Sequence, residues 1–224
     1  MIKKSKKLVI AGAGEFGEIA YEYFTHDSEY EVVGFTVEPQ YKNDDTFLGL
    51  PLVSIEEIES QFGLDEVEVH VAITYTKLNR GREKVYNLLK NKGYNFANYI
   101  SSRAFVWHNV ELGENVFIFE NNVVQHKCKI GNGVVLWSGN HIGHQSKIGN
   151  FCYLSSHVVV SGYCNIGDYC FVGVNAAFAD NLTLGANSFV AMSSNVTKSL
   201  EGGFVVKGSP AENSKLSALK YMKV

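Results

Sequence analysis

A six-residue repeat is the feature that most constrains how this chain can fold. From Ile100 to Val196 every sixth residue is apolar, seventeen positions in a row without an insertion. Glycine directly follows many of these positions, for example at Gly113, Gly131 and Gly149. A second register, two residues earlier in each repeat, holds mostly small residues. A fixed internal period indicates a repeat architecture, in which each unit buries its apolar face against its neighbours.

A period of six fits neither an α-helix nor an isolated β-strand, whose side chains repeat every 3.6 and every 2 residues. It fits a β-solenoid, in which each short strand points one large and one small side chain inward before the chain turns a corner. Three such sides make a triangular coil of eighteen residues, and successive coils stack as parallel strands about 4.8 Å apart. The repeat therefore predicts a parallel β-helix.

The cysteines fit the same pattern. All four lie in the small register, at Cys128, Cys152, Cys164 and Cys170. Inward-facing positions of this kind suit buried thiols that act as small core residues. We therefore expect neither a disulfide framework nor a thiolate metal site, and no cysteine nucleophile.

The N-terminal part alternates between strand-like and helix-like segments. Strands are predicted at Lys7–Ala11, Tyr30–Val37, Pro51–Val53 and Glu66–Thr74. Helices are predicted after Gly17, after Ser54 as a cap with Glu57 three residues later, and over Lys77–Lys92. This alternation predicts a small parallel sheet flanked by helices. The expected division is an α/β domain of residues 1–97, a β-helix of residues 98–204 and a C-terminal tail or cap of residues 205–224.

The first predicted strand runs into a glycine-rich turn, GAGEFG, with glycines at Gly12, Gly14 and Gly17. Glycines between a strand and a helix let the backbone approach a diphosphate, and the helix N-terminus offers unpaired N–H groups. Glu38, near the end of the second strand, is placed to meet a ribose hydroxyl. The alternative is that the glycines only shape a tight turn. A complete NAD dehydrogenase is disfavoured, because fewer than a hundred residues supply only half of a doubly wound sheet.

Histidines gather at one corner of the predicted coil. Residues eighteen apart stack on successive coils, so His108, His126 and His144 form a column with roughly 5 Å between neighbours. The column continues through Gly162, Asp180 and Lys198, and His141 and His157 are close in sequence. Taken alone, any one of these histidines fits a hydrated or hydrogen-bonded surface residue better than a functional one. Their enrichment at one corner favours a catalytic or metal site.

Charge and hydropathy narrow the functional classes. The net charge of −3 gives no electrostatic case for nucleic-acid binding. Lysines at positions 3, 4, 6 and 7 precede an apolar run, Leu8–Ala11, that is too short for a signal-peptide core or a membrane span. We expect a soluble cytoplasmic protein that binds neither nucleic acid nor membrane.

The segment GNHIGHQSKIGNFCYLSSHVVVSGYCNIGDYCFVGVNA resembles the active-site region of bacterial hexapeptide-repeat sugar acyltransferases, the sialic acid O-acetyltransferase and nucleotide-amino-sugar N-acetyltransferase family. The GAGEFG turn and the KGSPAE tail are similar to the same family, so the resemblance covers nearly the whole chain. It implies a Rossmann-like N-terminal domain that binds a nucleotide sugar, followed by a left-handed β-helix. It also implies a homotrimer with acyl-CoA, expected to be acetyl-CoA, bound between neighbouring subunits, and no metal.

The resemblance also assigns catalytic roles. His144 matches the family's general base, but the next residue is Gln145 where the family has glutamate. Gln145 is expected to orient the imidazole through its side-chain oxygen, although it cannot stabilise an imidazolium as a carboxylate does. A carboxylate from elsewhere, or His141, is the alternative. Gly162 matches the glycine whose backbone N–H polarises the thioester carbonyl.

Further contacts follow from the glycine turn, the histidine column and the resemblance together. The amino-sugar enzymes have a second histidine at the position of Tyr153. Many relatives carry paired aspartates after the second strand, in the place where this chain has Thr36 and Glu38. The candidate substrate contacts are Gly12, Gly14, Glu15, Phe16, Gly17, Thr36, Glu38, His126, His141, Tyr153 and His157. The candidate CoA contacts are Gly162, Val174, Ala191, Met192, Lys207, Gly208 and Pro210.

The resemblance implies acyl-CoA-dependent N-acylation of a nucleotide-linked amino sugar for surface glycans such as lipopolysaccharide or capsule. Direct attack by the sugar amine needs no acyl-enzyme, in keeping with the inward-facing cysteines. O-acylation of a sugar hydroxyl is the nearest alternative. A trimeric zinc lyase of the carbonic anhydrase type and a non-catalytic nucleotide-binding scaffold are two further alternatives. The nucleotide, the sugar and the acyl group are not determined by the sequence.

Overall fold

The computed structural model describes residues 2–224. In its N-terminal part, strands and helices alternate as the sequence pattern predicts. The elements are β1 (Lys6–Ala11), α1 (Glu15–Asp27), β2 (Tyr30–Val37), a 3-10 turn (Pro39–Tyr41), β3 (Thr46–Phe47), β4 (Leu50–Ser54), α2 (Ile58–Gln61), β5 (Glu68–Val71) and α3 (Arg80–Asn91). The sheet has the strand order β3-β4-β2-β1-β5, and all its pairings are parallel except that of β3 with β4. The expected parallel sheet with flanking helices is confirmed.

The chain divides into two compact units. One contains residues 2–74 and 82–99, and the other contains residues 75–81 and 100–224. A short segment between β5 and α3 therefore belongs to the unit that holds the repeats.

That segment explains why the predicted helix over Lys77–Lys92 begins only at Arg80. Lys77, Leu78 and Asn79 have φ values of 52°, 52° and 67°, which lie in the left-handed region. Left-handed backbone costs roughly 1–2 kcal/mol per residue for side chains other than glycine. Leu78 and Asn79 are both fully buried, and the Asn79 side-chain amide donates to the carbonyl oxygen of Cys170 at 3.4 Å. Burial and pairing within this unit offset the strain.

The expected cap at Ser54 is wrong. Helix α2 starts four residues later, at Ile58, and Glu57 occupies its cap position without a side-chain hydrogen bond. The Ser54 hydroxyl instead accepts a hydrogen bond from the backbone N–H of Glu56 at 3.3 Å. Ser54 thus ends β4 in a tight turn and does not begin the helix.

The hexad repeat folds into three walls of short parallel strands. The first wall contains β6 (Tyr99–Ile100), β9 (Phe117–Ile118), β12 (Val135–Leu136), β15 (Tyr153–Leu154), β18 (Phe171–Val172), β21 (Phe189–Val190), β23 (Phe204–Lys207) and β24 (Glu212–Ser217). The second contains β7 (Phe105–Val106), β10 (Val123–Val124), β13 (His141–Ile142), β16 (Val159–Val160), β19 (Ala177–Phe178) and β22 (Asn195–Val196). The third contains β8 (Glu111–Leu112), β11 (Lys129–Ile130), β14 (Lys147–Ile148), β17 (Asn165–Ile166) and β20 (Thr183–Leu184).

The register between coils is eighteen residues, as predicted. Val123 pairs with His141, and His141 pairs with Val159, along the second wall. The large and small registers together fill the solenoid interior, from Val116 and Ile118 at one end to Val196 at the other. The four cysteines are free and buried there, and burial raises the pKa of the Cys128, Cys152 and Cys164 thiols. Their expected place in the solenoid core is confirmed.

The corners show a regularity that the apolar repeat did not reveal. A left-handed residue recurs every six positions from Asn115 to Ser193, and it is Asn or Gly at seven of these fourteen corners. Asn tolerates this conformation better than most other residues, and Gly adopts it freely. Gln145, with φ at 58°, belongs to this series.

The C-terminal tail forms two strands before a short helix. Strand β23 continues the first wall in parallel with β21, and β24 returns antiparallel to β23 at the edge of that wall. A helix of four residues, α4 (Ala218–Tyr221), follows. Among residues 2–224, no helix combines the length and the apolar character needed to cross a bilayer.

His70 makes the stability of the N-terminal unit depend on pH. Its ring is buried on β5 against Phe24, with Nδ1 3.0 Å from the carbonyl oxygen of Ala97. Burial, with a smaller contribution from the charge of Arg82, lowers the pKa of His70 to about 4. The unfolded chain, with a histidine pKa near 6.5, then binds more protons than the folded chain between these two values.

We therefore expect the His70 contribution to stability to be complete above about pH 6.5 and to be lost as the pH falls towards 4. The slope is at most about 1.4 kcal/mol per pH unit, roughly 3 kcal/mol in total. Urea unfolding of wild type and His70→Gln between pH 4 and pH 8 measures the difference. His26→Gln, which changes an exposed histidine on α1, is the control. Parallel pH profiles for wild type and His70→Gln would contradict the expectation.

Candidate functional site

His144 lies at the corner between the second and third walls, two residues after the end of β13. Its backbone N–H donates to Oε1 of Gln125 at 2.9 Å, and its ring Nδ1 lies 3.2 Å from the same oxygen. Gln125 follows β10 at the same corner, one coil earlier. The side chain of one coil therefore holds both the main chain and the ring of the next.

The His144 ring is also packed on its faces and side. The His126 ring lies parallel to it, with 5.7 Å between centroids and 6° between planes, as the predicted column requires. Tyr163 meets it edge-on at 5.0 Å. On the other coil, a Cβ added to Gly162 would lie 2.6 Å from Cε1 and 2.8 Å from Nε2 of His144. Glycine at position 162 is thus required for the imidazole to occupy this place.

The backbone N–H of Gly162 already has a partner within the chain. It donates to Oδ1 of Asp180, one coil further along the same column, at 2.9 Å. Asp180 is exposed. The resemblance assigns the Gly162 N–H to the thioester carbonyl. In this structure the same N–H is hydrogen-bonded to the exposed carboxylate of Asp180.

A groove of about 450 Å³ opens beside His144. Its lining consists of Phe105, Trp107, Gln125, His126 and His144. Phe105 and Trp107 are 52% and 43% exposed. Large exposed rings next to a histidine offer an apolar platform with one polar group at its end, an arrangement typical of small-molecule sites.

The expected role of Gln145 is wrong. Its side-chain Nε2 donates to the hydroxyl of Tyr163 at 2.8 Å, and no hydrogen bond joins it to the His144 ring among the described residues. The backbone of Gln145 is in the left-handed region at this corner, with φ at 58°. Gln125, nineteen positions earlier, provides the oxygen that was expected from Gln145.

Other candidate substrate contacts are not available at the surface of the chain. Tyr153 is 5% exposed on the first wall, where its ring packs against Tyr75 and Phe171. The side chains of Thr36 and Phe16 are buried in the N-terminal unit. A contact through these side chains is therefore not supported, because the core encloses them.

The remaining histidines are separated by the geometry of the coil. His141 is partly buried on the second wall, and His157 is exposed at the corner between the first and second walls. His108 is exposed next to Trp107, with 5.3 Å between the two rings. Of the histidines considered, the structure joins only His126 to His144 by a ring contact.

The glycine turn of the N-terminal unit separates into structural and open positions. Gly12 has φ at 134°, and a Cβ there would lie 2.6 Å from the carbonyl oxygen of Ala72. A Cβ on Gly17 would overlap the carbonyl oxygen of Gly12. Gly14, at the N-terminus of α1, has no heavy atom within 4 Å of such a position. The turn itself thus explains Gly12 and Gly17, but not Gly14.

The acidic residues of this turn have different surroundings. Glu38 forms an ion pair with Lys84 on α3, and its side chain is 14% exposed. Glu15 is exposed in the first turn of α1. A ribose approaching Glu38 would therefore meet a carboxylate that is already paired with Lys84.

Apart from Gly162, the candidate CoA contacts lie at other places on the solenoid. Val174 and Met192 are exposed at the corner between the first and second walls, with Ala191 beside them, and Met192 is 70% exposed. Lys207 is exposed at the end of β23, and Gly208 and Pro210 are exposed in the turn that follows it. One chain does not bring these residues to the corner that holds His144.

Among the residues that the structure describes, no three His, Cys, Asp or Glu side chains are grouped as a metal site would require. His126 and His144 face each other as parallel rings and do not converge on one point.

Known proteins match both the repeat and the whole fold. A family model described as bacterial transferase hexapeptide (six repeats) matches residues 109–144 and 127–162. Both matched ranges lie within the solenoid. No curated protein sequence matches the chain significantly.

Several solved structures share the fold over almost the whole hexapeptide-repeat chain. The acetyltransferase domain of PglB from Neisseria gonorrhoeae is 21% identical, with a TM-score of 0.83 over 94% of this chain and 100% of that one. PerB from Caulobacter crescentus, solved with CoA and GDP-perosamine, is 24% identical, with a TM-score of 0.80 over 93% and 97%. WeeI from Acinetobacter baumannii is 23% identical, with a TM-score of 0.78 over 94% and 100%. The expected fold, an α/β N-terminal domain followed by a left-handed parallel β-helix, is confirmed.

Sequence reasoning missed four residues near His144. Gln125, Tyr163, Phe105 and Trp107 surround His144 but have no motif of their own. The eighteen-residue register gave a usable signal, because Gln125 and Tyr163 lie within one residue of positions one coil away from His144. Applying that register to the neighbours of His144, as well as to the histidines, would have found both.

The two kinds of glycine in the N-terminal turn predict different effects of alanine. Gly12→Ala forces a Cβ onto a backbone oxygen at positive φ, and we expect it to lower the free energy of unfolding by more than about 1 kcal/mol. Gly14→Ala meets no atom and is expected to change it by less than about 0.5 kcal/mol. Chemical denaturation of both variants measures this, and an equal loss in both would show that Gly14 is structural.

Proposed function

We propose that this protein is an acyltransferase that transfers the acyl group of acyl-CoA, expected to be acetyl-CoA, to the amine of a nucleotide-linked sugar. His144 acts as the general base. An N-acylated nucleotide sugar is a suitable precursor for surface glycans. The hexapeptide repeats support the transferase class, and the fold matches PerB, solved with CoA and GDP-perosamine, and the PglB domain, solved also with acetyl coenzyme A.

One observation carries this proposal. The imidazole of His144 is held on both faces and at Nδ1, while Nε2 has no hydrogen-bond partner among the described residues. The groove with Phe105 and Trp107 lies beside the ring. A fixed imidazole with one unpaired nitrogen next to an apolar groove is the arrangement that a general base needs.

The chemistry follows from this geometry. Nε2 of His144 accepts a proton from the sugar amine as the amine nitrogen attacks the thioester carbonyl. The tetrahedral intermediate carries its negative charge on the carbonyl oxygen. When the C–S bond breaks, the CoA thiolate leaves and takes the proton back from the imidazolium. No acyl-enzyme forms, and the buried cysteines have no part in the reaction.

In this proposal the N-terminal domain, residues 1–97, binds the nucleotide. The open space at Gly14 lies at the N-terminus of α1, where backbone N–H groups and the helix dipole favour a diphosphate. The exposed Glu15 in the first turn opposes such a charge, so the diphosphate contacts the backbone and not this side chain. The solenoid of residues 98–204 binds acyl-CoA, and residues 205–224 cap it.

We further propose that the active unit is a homotrimer. The exposed face of the second wall is largely apolar, with Phe105 and Val159 at 52% and 41% exposure. The corner with Val174 and Met192 and the corner with His144 flank this wall in one chain. When the second walls of neighbouring copies pack against each other, the corner with Val174 and Met192 of one copy approaches the corner with His144 of the next. The acyl-CoA site then forms only in the assembly.

The direct test is turnover by purified protein with acetyl-CoA and a panel of nucleotide-linked amino sugars. We expect His144→Ala to lower kcat by roughly 10²- to 10⁴-fold, the usual contribution of a general base. Release of the CoA thiol and the mass of the product provide the two readouts. His26→Ala, an exposed histidine on α1, is the control and should retain wild-type turnover.

The outcomes separate the alternatives. Acylation of hydroxyl analogues but not of amines would favour O-acylation. Unchanged turnover in His144→Ala would exclude His144 as the base. No turnover by wild type with any acceptor, together with binding of the nucleotide, would favour a non-catalytic scaffold.

Asp180 provides a separate test of the Gly162 amide. If the Gly162 N–H stabilises the oxyanion, the carboxylate of Asp180 must release it when the thioester binds. We expect Asp180→Ala to keep kcat within a few-fold of wild type and to lower KM for acyl-CoA, because one competitor for the amide is removed. The lost hydrogen bond should cost roughly 1 kcal/mol of stability.

Asp168→Ala is the matched control. Asp168 caps the backbone N–H of Asn150 at 2.7 Å in the same way, at a different corner. Its loss should cost similar stability and leave KM for acyl-CoA unchanged. A loss of kcat in Asp180→Ala as large as that of His144→Ala would show that the carboxylate itself takes part, and that Gly162 is not the donor.

A further inference from the structure

We infer that Gln125 is the residue that positions the base, holding His144 in the tautomer with hydrogen on Nδ1 and the lone pair on Nε2. The catalytic consequence rests on the proposed function, but the tautomer itself does not. Gln125 stands nineteen residues before His144, and no sequence motif singles it out.

The hydrogen bonds determine the orientation of the Gln125 amide. The backbone N–H of His144 can only donate, so the atom that it meets at 2.9 Å must be the carbonyl oxygen of the side chain. The same oxygen lies 3.2 Å from Nδ1. An amide oxygen can only accept, so Nδ1 must carry the hydrogen. In a neutral imidazole this leaves Nε2 as the acceptor.

No other group competes for this role. Among residues 2–224, the His144 ring has one hydrogen-bond partner, Gln125, and no carboxylate is paired with it. Gln145 is engaged with Tyr163. The His126 ring stacks face to face at 5.7 Å and contributes packing without fixing a proton.

A glutamine in this position can perform only one of the two functions that a carboxylate performs beside a catalytic histidine. It selects the tautomer and the ring orientation, but it brings no negative charge to stabilise the imidazolium. The chain therefore relies on geometry at Nδ1 and not on charge. Gln125→Glu should keep both hydrogen bonds, add the charge, and favour the protonated ring.

The first test needs no substrate. In protein with ¹⁵N-labelled histidine, long-range ¹H–¹⁵N spectra distinguish hydrogen on Nδ1 from hydrogen on Nε2, and His144→Ala identifies the resonance. We expect the Nδ1–H form in wild type at alkaline pH and in Gln125→Glu. In Gln125→Ala we expect a mixture that includes Nε2–H. An unchanged Nδ1–H form in Gln125→Ala, or an Nε2–H form in wild type, would overturn the inference.

The second test is kinetic. Gln125→Ala should lower kcat roughly 10- to 100-fold, the range for partners that orient an imidazole in metal sites, with a smaller change in KM for acyl-CoA. Gln125→Glu should restore kcat and move the acid limb of the pH–rate profile to higher pH. Asn132→Ala removes a comparable cap, on the backbone N–H of Glu114, and controls for lost structure.

The two tests fail in different ways. Absence of turnover in wild type would refute the proposed function and leave the tautomer result standing. If Gln145→Ala lowered kcat as much as Gln125→Ala, or if Gln125→Glu gave no rescue, the positioning role would be refuted even in an active enzyme.

Discussion

The parallel hydrogen bonds between coils are the constraint on which the rest of the structure depends. Each coil repeats the last after eighteen residues, so every corner position stacks on its own equivalent. Corner N–H groups that the walls leave unpaired are capped by side chains of a neighbouring coil, as Asn132 caps Glu114 and Asp168 caps Asn150. The candidate active site uses this same device, since Gln125 caps His144 and Asp180 caps Gly162.

The stacking of coils at eighteen-residue intervals explains which features the sequence could predict and which it could not. The hexad period determined the coil, the inward cysteines and the stacking of His126 on His144, because these depend only on spacing. Neighbours in the chain proved misleading at the corner itself. Gln145 is adjacent to His144 in sequence but lies at a left-handed position and turns to Tyr163. An apolar pattern reports neither the backbone φ of a corner residue nor the partner of its side chain.

The N-terminal unit shows a similar division. Alternating apolar segments predicted its strands and their parallel order, but not which residues of the glycine turn face solvent. Gly12 and Gly17 are required by contacts with Ala72 and with each other, and these contacts exist only in the folded unit. The left-handed turn at Leu78 was missed because its strain is offset by burial, and residues 77–79 read as part of a helix on propensity alone.

The caps also set a conflict that any acyl transfer at this corner must resolve. A backbone N–H that stabilises an oxyanion must have no other hydrogen-bond partner when the substrate binds. At a solenoid corner, however, such an N–H would lack the side-chain hydrogen bond that caps the N–H groups of other corners. Asp180 resolves this only because it is exposed, so its carboxylate can exchange the Gly162 N–H for water at small cost. Gln125 is partly buried and makes two hydrogen bonds to His144, so it has no such freedom. One corner thus combines a partly buried cap, which holds the His144 ring, with an exposed cap, which can release the Gly162 N–H.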